Sequence, residues 1–193
     1  MTQLPFYDKP VVDQGFKLYG AEEDLEGRLK AGDIVESRKN KDGSCTAVKS
    51  GRTEEDLFTY QAFVKRVIDG DTLVVLLDFG FGDIQEHSLR LRKIDCPELK
   101  KPGGIEARDY VISLLKEIPF IFLTSSRSDK YDRYLADVHL PGKKFLHEWN
   151  QGTANLSPST SLRMVSLSNH KSTDLLYLNN DLLKKGHAVR MNG

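Results

Sequence analysis

The rhythm of hydrophobic and polar positions changes near Thr59 of this 193-residue chain. Beyond it, Tyr60 to Ile68 partly alternates, Leu73 to Leu77 is a continuous apolar run, and His87 to Ile94 alternates again. Period two marks a strand with one buried face, and an unbroken apolar run marks a strand buried on both faces or in a barrel wall. Asp69-Gly70-Asp71 and the glycine-rich stretch Asp78 to Asp83 punctuate these runs, which predicts a three-strand meander. In its third strand, Leu89, Leu91 and Lys93 are expected on one face and Arg90, Arg92 and Ile94 on the other.

Pro102-Gly103-Gly104 breaks this pattern, and a helical period replaces it. Ala107, Val111, Leu114, Leu115 and Ile118 form one apolar face. Phe120 to Leu123 reads as a short strand, Thr124 to Asp132 as a loop, and Tyr134 to Leu140 as a further strand. Residues 141–173, rich in Ser, Asn, Thr and Lys, are weakly patterned and read as an insertion. A solvated hairpin with Trp149 packed back on the sheet is preferred there over a basic grip that stacks Trp149 on a base. Asp174 to Leu178 is extended, and Asn180 is the expected cap of a last helix, Asp181 to Lys185, ended by Gly186. Five strands with inserted helices predict an α+β, mainly β fold over residues 59–193, an OB-like five-stranded barrel.

Residues 1–58 have a different texture. Pro5 to Gly20 shows no period and is expected to wrap a neighbour or stay mobile. Ala21 to Ala31 reads as a short helix, acidic at its start, with Leu25 and Leu29 one turn apart and Gly32 beyond its end. Asp33 to Lys39 and Ser44 to Val48 flank Asn40-Lys41-Asp42-Gly43, a hairpin signal. The polar stretch Ser50 to Asp56 reads as a linker. Together these predict a small N-terminal α/β extension that covers a sheet edge, in preference to a partner-binding lid.

Composition narrows the class. With 39% hydrophobic and 29% charged residues, the chain has the balance of a packed soluble domain rather than a disordered one. Residues 1–60 hold 9 Lys and Arg against 12 Asp and Glu, and the remainder 19 against 16. The net positive part suits an anionic substrate, although its excess is too small for a strong nucleic-acid footprint. Cys45 and Cys96 lack metal-ligand spacing and read as two reduced thiols. The five histidines show no ligand pairing. No apolar run reaches the length of a membrane span, and the first residues lack the charged-then-apolar pattern of a signal peptide, so a cytoplasmic location is the expectation.

The candidate chemistry sits at the breaks between strands. Asp71 and Asp95 each lie at a predicted strand end, beside Gly70 and Pro97. Two carboxylates with a main-chain carbonyl and water form a workable oxygen set for a hard divalent cation such as Ca2+. Glu98, three residues past Asp95, falls at the rim of the same place and is suited to accept a proton. Arg90 and Arg133 supply two permanently charged guanidiniums able to hold phosphate oxygens. Each residue alone is most often a turn or a surface ion pair; their joint occurrence in this order points to phosphodiester hydrolysis.

The same residues carry a resemblance. Val67-Ile68-Asp69-Gly70-Asp71-Thr72, Arg90 to Glu98 and Asp129-Lys130-Tyr131-Asp132-Arg133 look like the three signature blocks of the staphylococcal nuclease (thermonuclease) family. Leu178 to Gly186 is similar to the helix near that family's C-terminal end. The resemblance spans about residues 63–189, apart from the insertion. It implies an OB-type barrel and a calcium-dependent nuclease acting on DNA and RNA, with water attack at phosphorus and cleavage of the 5′ P–O bond to leave 3′-phosphates. It further implies Asp71, Asp95 and the main-chain carbonyl of Cys96 as calcium ligands, the last in place of a threonine. Arg90 and Arg133 match the phosphate-binding arginines, Glu98 the general base, and Lys130 and Tyr131 residues near the nucleotide's phosphates.

The chain departs from the family pattern in several places. The loop after Glu98 is shorter, the Asp78 to Glu86 hairpin longer, and Asp132 replaces a glycine. No counterpart of the family's long C-terminal helix follows Ala188, and residues 1–60 are expected to take over its packing role. Barrels of this kind also serve as non-catalytic modules binding nucleic acid or protein, which is the alternative reading. The complete charged set favours the enzyme.

Overall fold

Five strands pair in a ring. The computed structural model describes residues 11–20, 29–51, 53–54, 57–128, 133–151 and 174–191. Strands β5 (Thr59–Val67), β6 (Thr72–Asp78) and β7 (Ile84–Leu91) form an antiparallel meander. Strand β10 (Tyr134–Pro141) adds parallel to β7, and β9 (Ile121–Ser128) lies antiparallel to both β10 and β5. The chain is thus mainly β, with a large, mostly antiparallel sheet that curls into a barrel-like form. Inward residues follow the predicted period. Leu73, Val75 and Leu77 on β6, Leu89 and Leu91 on β7, Ile121 and Leu123 on β9, and Ala136, Val138 and Leu140 on β10 are all buried in one core.

Helix α1 (Gly104–Leu115) closes one side of that core with Ala107 and Val111, as its period predicts. Its start is crowded. A Cβ on Gly104 would lie 2.1 Å from the Glu98 carbonyl oxygen, so only glycine lets the helix begin there.

The third strand of the meander begins and ends earlier in the chain than its alternation suggests. It ends at Leu91, turns at Arg92-Lys93, where Lys93 adopts φ 62°, and resumes as β8 (Ile94–Asp95). The left-handed residue resets the side-chain alternation, so Lys93 is exposed and Ile94 is buried, the reverse of the expected faces. Strand β8 pairs with β12 (Val189–Arg190) rather than continuing the main sheet.

Three other segments differ from the sequence expectations. The predicted loop from Thr124 remains strand through Ser128; residues 129–132 lie outside the described residues. The insertion opens with helix α2 (Lys143–Asn150), which lays Phe145 against Phe122 of β9 and Trp149 against Phe120 just before that strand. Trp149 therefore packs on the sheet, as preferred, but from a helix; residues 152–173 lie outside the described residues. The last helix, α3 (Leu178–Lys184), begins directly after β11 (Leu175–Tyr177), so Asn180 is a helix residue and Tyr177 the cap position. Gly186 follows the helix with φ 76°, as predicted.

The N-terminal part makes two hairpins. Strands β3 (Val35–Lys39) and β4 (Cys45–Lys49) pair around the Asn40 to Gly43 turn, as expected. Where no period was legible, β1 (Val12–Gly15) and β2 (Leu18–Gly20) form a second hairpin. Its turn residues Phe16 and Lys17 have φ 52° and 62°, the primed geometry that suits strand twist but ordinarily selects Asn or Gly. Packing explains the exception: the Phe16 ring meets Tyr60, Phe79, His87 and Tyr134. Most of the predicted helix, residues 21–28, lies outside the described residues, and Leu29 to Ala31 is not helical.

Candidate functional site

Asp71 follows the tight connection between β5 and β6. There the Ile68 amide donates to the Thr72 carbonyl at 2.9 Å, and the Asp71 amide to the Asp69 carboxylate at 3.1 Å. Gly70 is required by close approach: a Cβ on it would lie 2.8 Å from both Ala107 Cβ and Cys96 Sγ. The turn, the start of β8's loop and α1 are therefore pressed together at this point.

Register then sets the neighbours. Thr72 pairs with Arg90 across β6 and β7, and the Leu91 amide donates to the Asp71 carbonyl at 2.8 Å. This brings the Arg90 guanidinium onto Asp71 through Nη1 and onto Asp95 through Nη2. The other Asp71 carboxylate oxygen accepts the Cys96 amide at 2.5 Å, and Thr72 Oγ1 donates to Asp71 at 3.3 Å. Asp71 has no solvent exposure, Arg90 is mostly buried, and the Asp95 side chain is 54% exposed. A fully buried carboxylate is tolerable only with such partners, and removing one of them typically costs about 3–5 kcal/mol. Arg90 has five N–H donors, and one on each terminal nitrogen is spent on the aspartates, leaving three.

Cys96 is itself buried, and that burial pushes its thiol up to about 12 against the pull of the Arg90 guanidinium. The thiol is thus neutral packing at ordinary pH, while its main chain contributes to the site. Glu98 is exposed beyond the Pro97 bend, and the Lys101 amide caps its carbonyl at 2.8 Å. Arg133 immediately precedes β10, which runs beside β7 with Leu135 opposite Arg90, so Arg133 enters from the start of the strand neighbouring that of Arg90. Lys130 and Tyr131 lie outside the described residues.

The donor set fits a hard cation in charge and in kind. Asp71 and Asp95 converge on a single guanidinium, which offsets only one of their two negative charges. Among the described residues no three His, Cys, Asp or Glu side chains form a group able to hold a metal ion by themselves. A cation here would be held by two carboxylates, with main-chain oxygen and water completing the shell, a composition that suits Ca2+ better than Zn2+.

Asn179 was not recognised from sequence. Buried at the start of α3, it accepts the Val138 amide at 3.0 Å and donates to the Ala136 and Arg92 carbonyls at 3.0 and 3.2 Å. It therefore ties α3 to β10 and to the turn that redirects β7 into β8, and so positions Asp95. Arg92 supports the same turn from the other side, pairing with Asp137 at 2.6 Å, which also accepts the Tyr177 hydroxyl at 2.7 Å. The only available signal was the adjacent pair Asn179-Asn180, which a helix-cap reading absorbs. No helix among the described residues is long and apolar enough to cross a membrane. No protein-family model matches the chain, and no curated protein matches it.

Proposed function

We propose that this chain is a calcium-dependent nuclease that hydrolyses phosphodiester bonds of DNA or RNA on an OB-type barrel. The carrying observation is the convergence of Asp71, Arg90 and Asp95 at one end of the β6–β7 pair, with the Cys96 main chain against Asp71. The ring order β5–β6–β7–β10–β9, with β10 parallel to β7, supports the barrel assignment. The resemblance of the three charged blocks to staphylococcal nuclease supports the activity.

Asp71, Asp95 and the Cys96 carbonyl would hold the calcium ion, which when bound neutralises phosphate charge and favours a nucleophilic water. The protein's own groups do the rest. The three N–H donors of Arg90 not engaged by aspartates are directed to phosphate oxygens, and the aspartates keep the guanidinium from rotating away. Arg133 adds a second guanidinium from the neighbouring strand, so that charge growing on the equatorial oxygens meets fixed positive groups. Glu98, exposed at the rim, accepts the proton of the attacking water. As the water oxygen bonds to phosphorus the 5′ P–O bond breaks, the leaving 5′ oxygen takes a proton from solvent to become a hydroxyl, and the 3′ side retains the phosphate.

The test is cleavage of single-stranded DNA and RNA with calcium or with chelator, beside Glu98→Gln. Because Glu98 is exposed, this variant is expected to keep the wild-type melting temperature while activity falls by about 10²–10⁴-fold, the usual contribution of a general base. Calcium is expected to raise the melting temperature of both proteins. Cleavage unchanged in chelator would remove the calcium requirement. Tight binding of the strands without cleavage would support the non-catalytic module instead.

A further inference from the structure

A cavity of about 280 Å3 lies between the N-terminal hairpins and the start of β5 with the loop after β6, and it shares no residue with the site above. Strand β1 supplies Gln14, and Phe58, Tyr60, Phe79 and Phe81 supply aromatic walls. Gln14 is 7% exposed, and among the described residues its Oε1 meets no hydrogen-bond donor. Buried acceptors are almost always satisfied, so an unmet one lining a cavity points to a donor arriving with a ligand. Phe58 is held at φ 57°, its carbonyl accepting the Ser125 amide at 3.1 Å. A non-glycine residue in the left-handed region persists only where its surroundings hold it there, and such residues cluster at ligand clamps and active sites.

Charge selects the ligand's sign. Asp13, Asp33 and Glu54 line the cavity, and Asp33 is already paired with Lys49 at 2.6 Å. Asp13 and Glu54 are exposed at its edge. A nucleotide or other anion would be repelled there, whereas an organic cation gains both carboxylates and the aromatic faces. A planar guanidinium also brings several N–H donors, one of which can meet Gln14 Oε1, and it stacks where a compact ammonium cannot. From these features we infer that the cavity binds a guanidinium group on an apolar stem, carried either by an arginine side chain of a protein or by a free guanidino compound. Strands β1 and β3 of the two hairpins then build a recognition pocket against the sheet.

The experiment is an amide-shift titration of the isotope-labelled full chain with N-acetyl-argininamide, agmatine and the neutral isostere N-acetyl-citrullinamide. The arginine probe is expected to give saturable shifts at Gln14, Gly15, Phe79 and Phe81. The citrulline probe is expected to bind at least about tenfold more weakly, because it loses the cation–π and ion-pair terms. Tighter binding of the blocked amide than of agmatine identifies a polypeptide source, and the reverse order a free compound. Glu54→Gln and Gln14→Leu should each weaken the arginine probe several-fold. Glu54 is exposed, so its variant decides the matter even if Gln14→Leu does not fold. Equal response to the citrulline probe, or no saturable shift at these residues, would overturn the assignment.

Discussion

Replacing Asn179 with leucine removes a buried amide that links three elements while keeping the number and branching of side-chain heavy atoms. Asn179 is 1% exposed and makes three hydrogen bonds to the main chain. The Ala136 carbonyl also accepts the Arg92 amide at 2.9 Å, so its loss is small. The Val138 amide, in a fully buried residue, loses its acceptor outright. An unmet buried donor costs about 1–3 kcal/mol, and the other two bonds about 0.5–1.5 kcal/mol each. A total near 3 kcal/mol follows, or a fall of roughly 6–12 °C in Tm for a chain of this size. Urea unfolding followed by far-UV circular dichroism, and by the fluorescence of the single tryptophan, Trp149, measures it. The companion variant Asn180→Ala should stay within about 0.5 kcal/mol of wild type, because Asn180 is a half-buried helix residue rather than a cap. A cost below about 1 kcal/mol for Asn179→Leu, or an equal cost for the two variants, would refute the argument.

Two further outcomes are expected. Phe16→Ala should destabilise by about 2–3 kcal/mol, less than a fully enclosed phenylalanine, because the ring is only half-buried among Tyr60, Phe79, His87 and Tyr134; an unchanged thermal melt would show that the first hairpin does not hold the sheet. In native protein near pH 8, half-buried Cys45 should react with a thiol reagent before Cys96, whose burial holds its thiol up at about 12 and so keeps the reactive thiolate scarce. Peptide mapping by mass spectrometry checks the order, and early labelling of Cys96 would contradict the closed packing against Gly70.

Much of the sheet was legible because strand formation leaves a local mark. Leu73 to Leu77, the Asp69-Gly70-Asp71 break and the Ala107 to Leu114 face each express one period or one turn within a few residues, and all three appear where expected. The charged residues of the site were legible as types in order, at the ends of those segments. The turn at Lys93 was not legible, since a left-handed lysine carries no sequence signal comparable to glycine and yet exchanges the faces of Lys93 and Ile94. Helix α2 was hidden because its apolar face is short and meets a partner, Phe122, more than twenty residues earlier in the chain.

By itself, the sequence determined the cores of most strands of the main sheet, the position of α1 and which acids, arginines and glycines stand near their ends, because periodicity and turn chemistry act over a few residues. Tertiary structure alone decided which of those groups meet. The β6–β7 register brings Arg90 onto Asp71, the Lys93 turn and Asn179 bring Asp95 to the same guanidinium, and Phe16 fastens the first hairpin to the sheet. Each of these contacts joins residues that are distant in sequence or redirected by a backbone angle, and such contacts are selected by burial and hydrogen-bond satisfaction in three dimensions rather than by any local pattern.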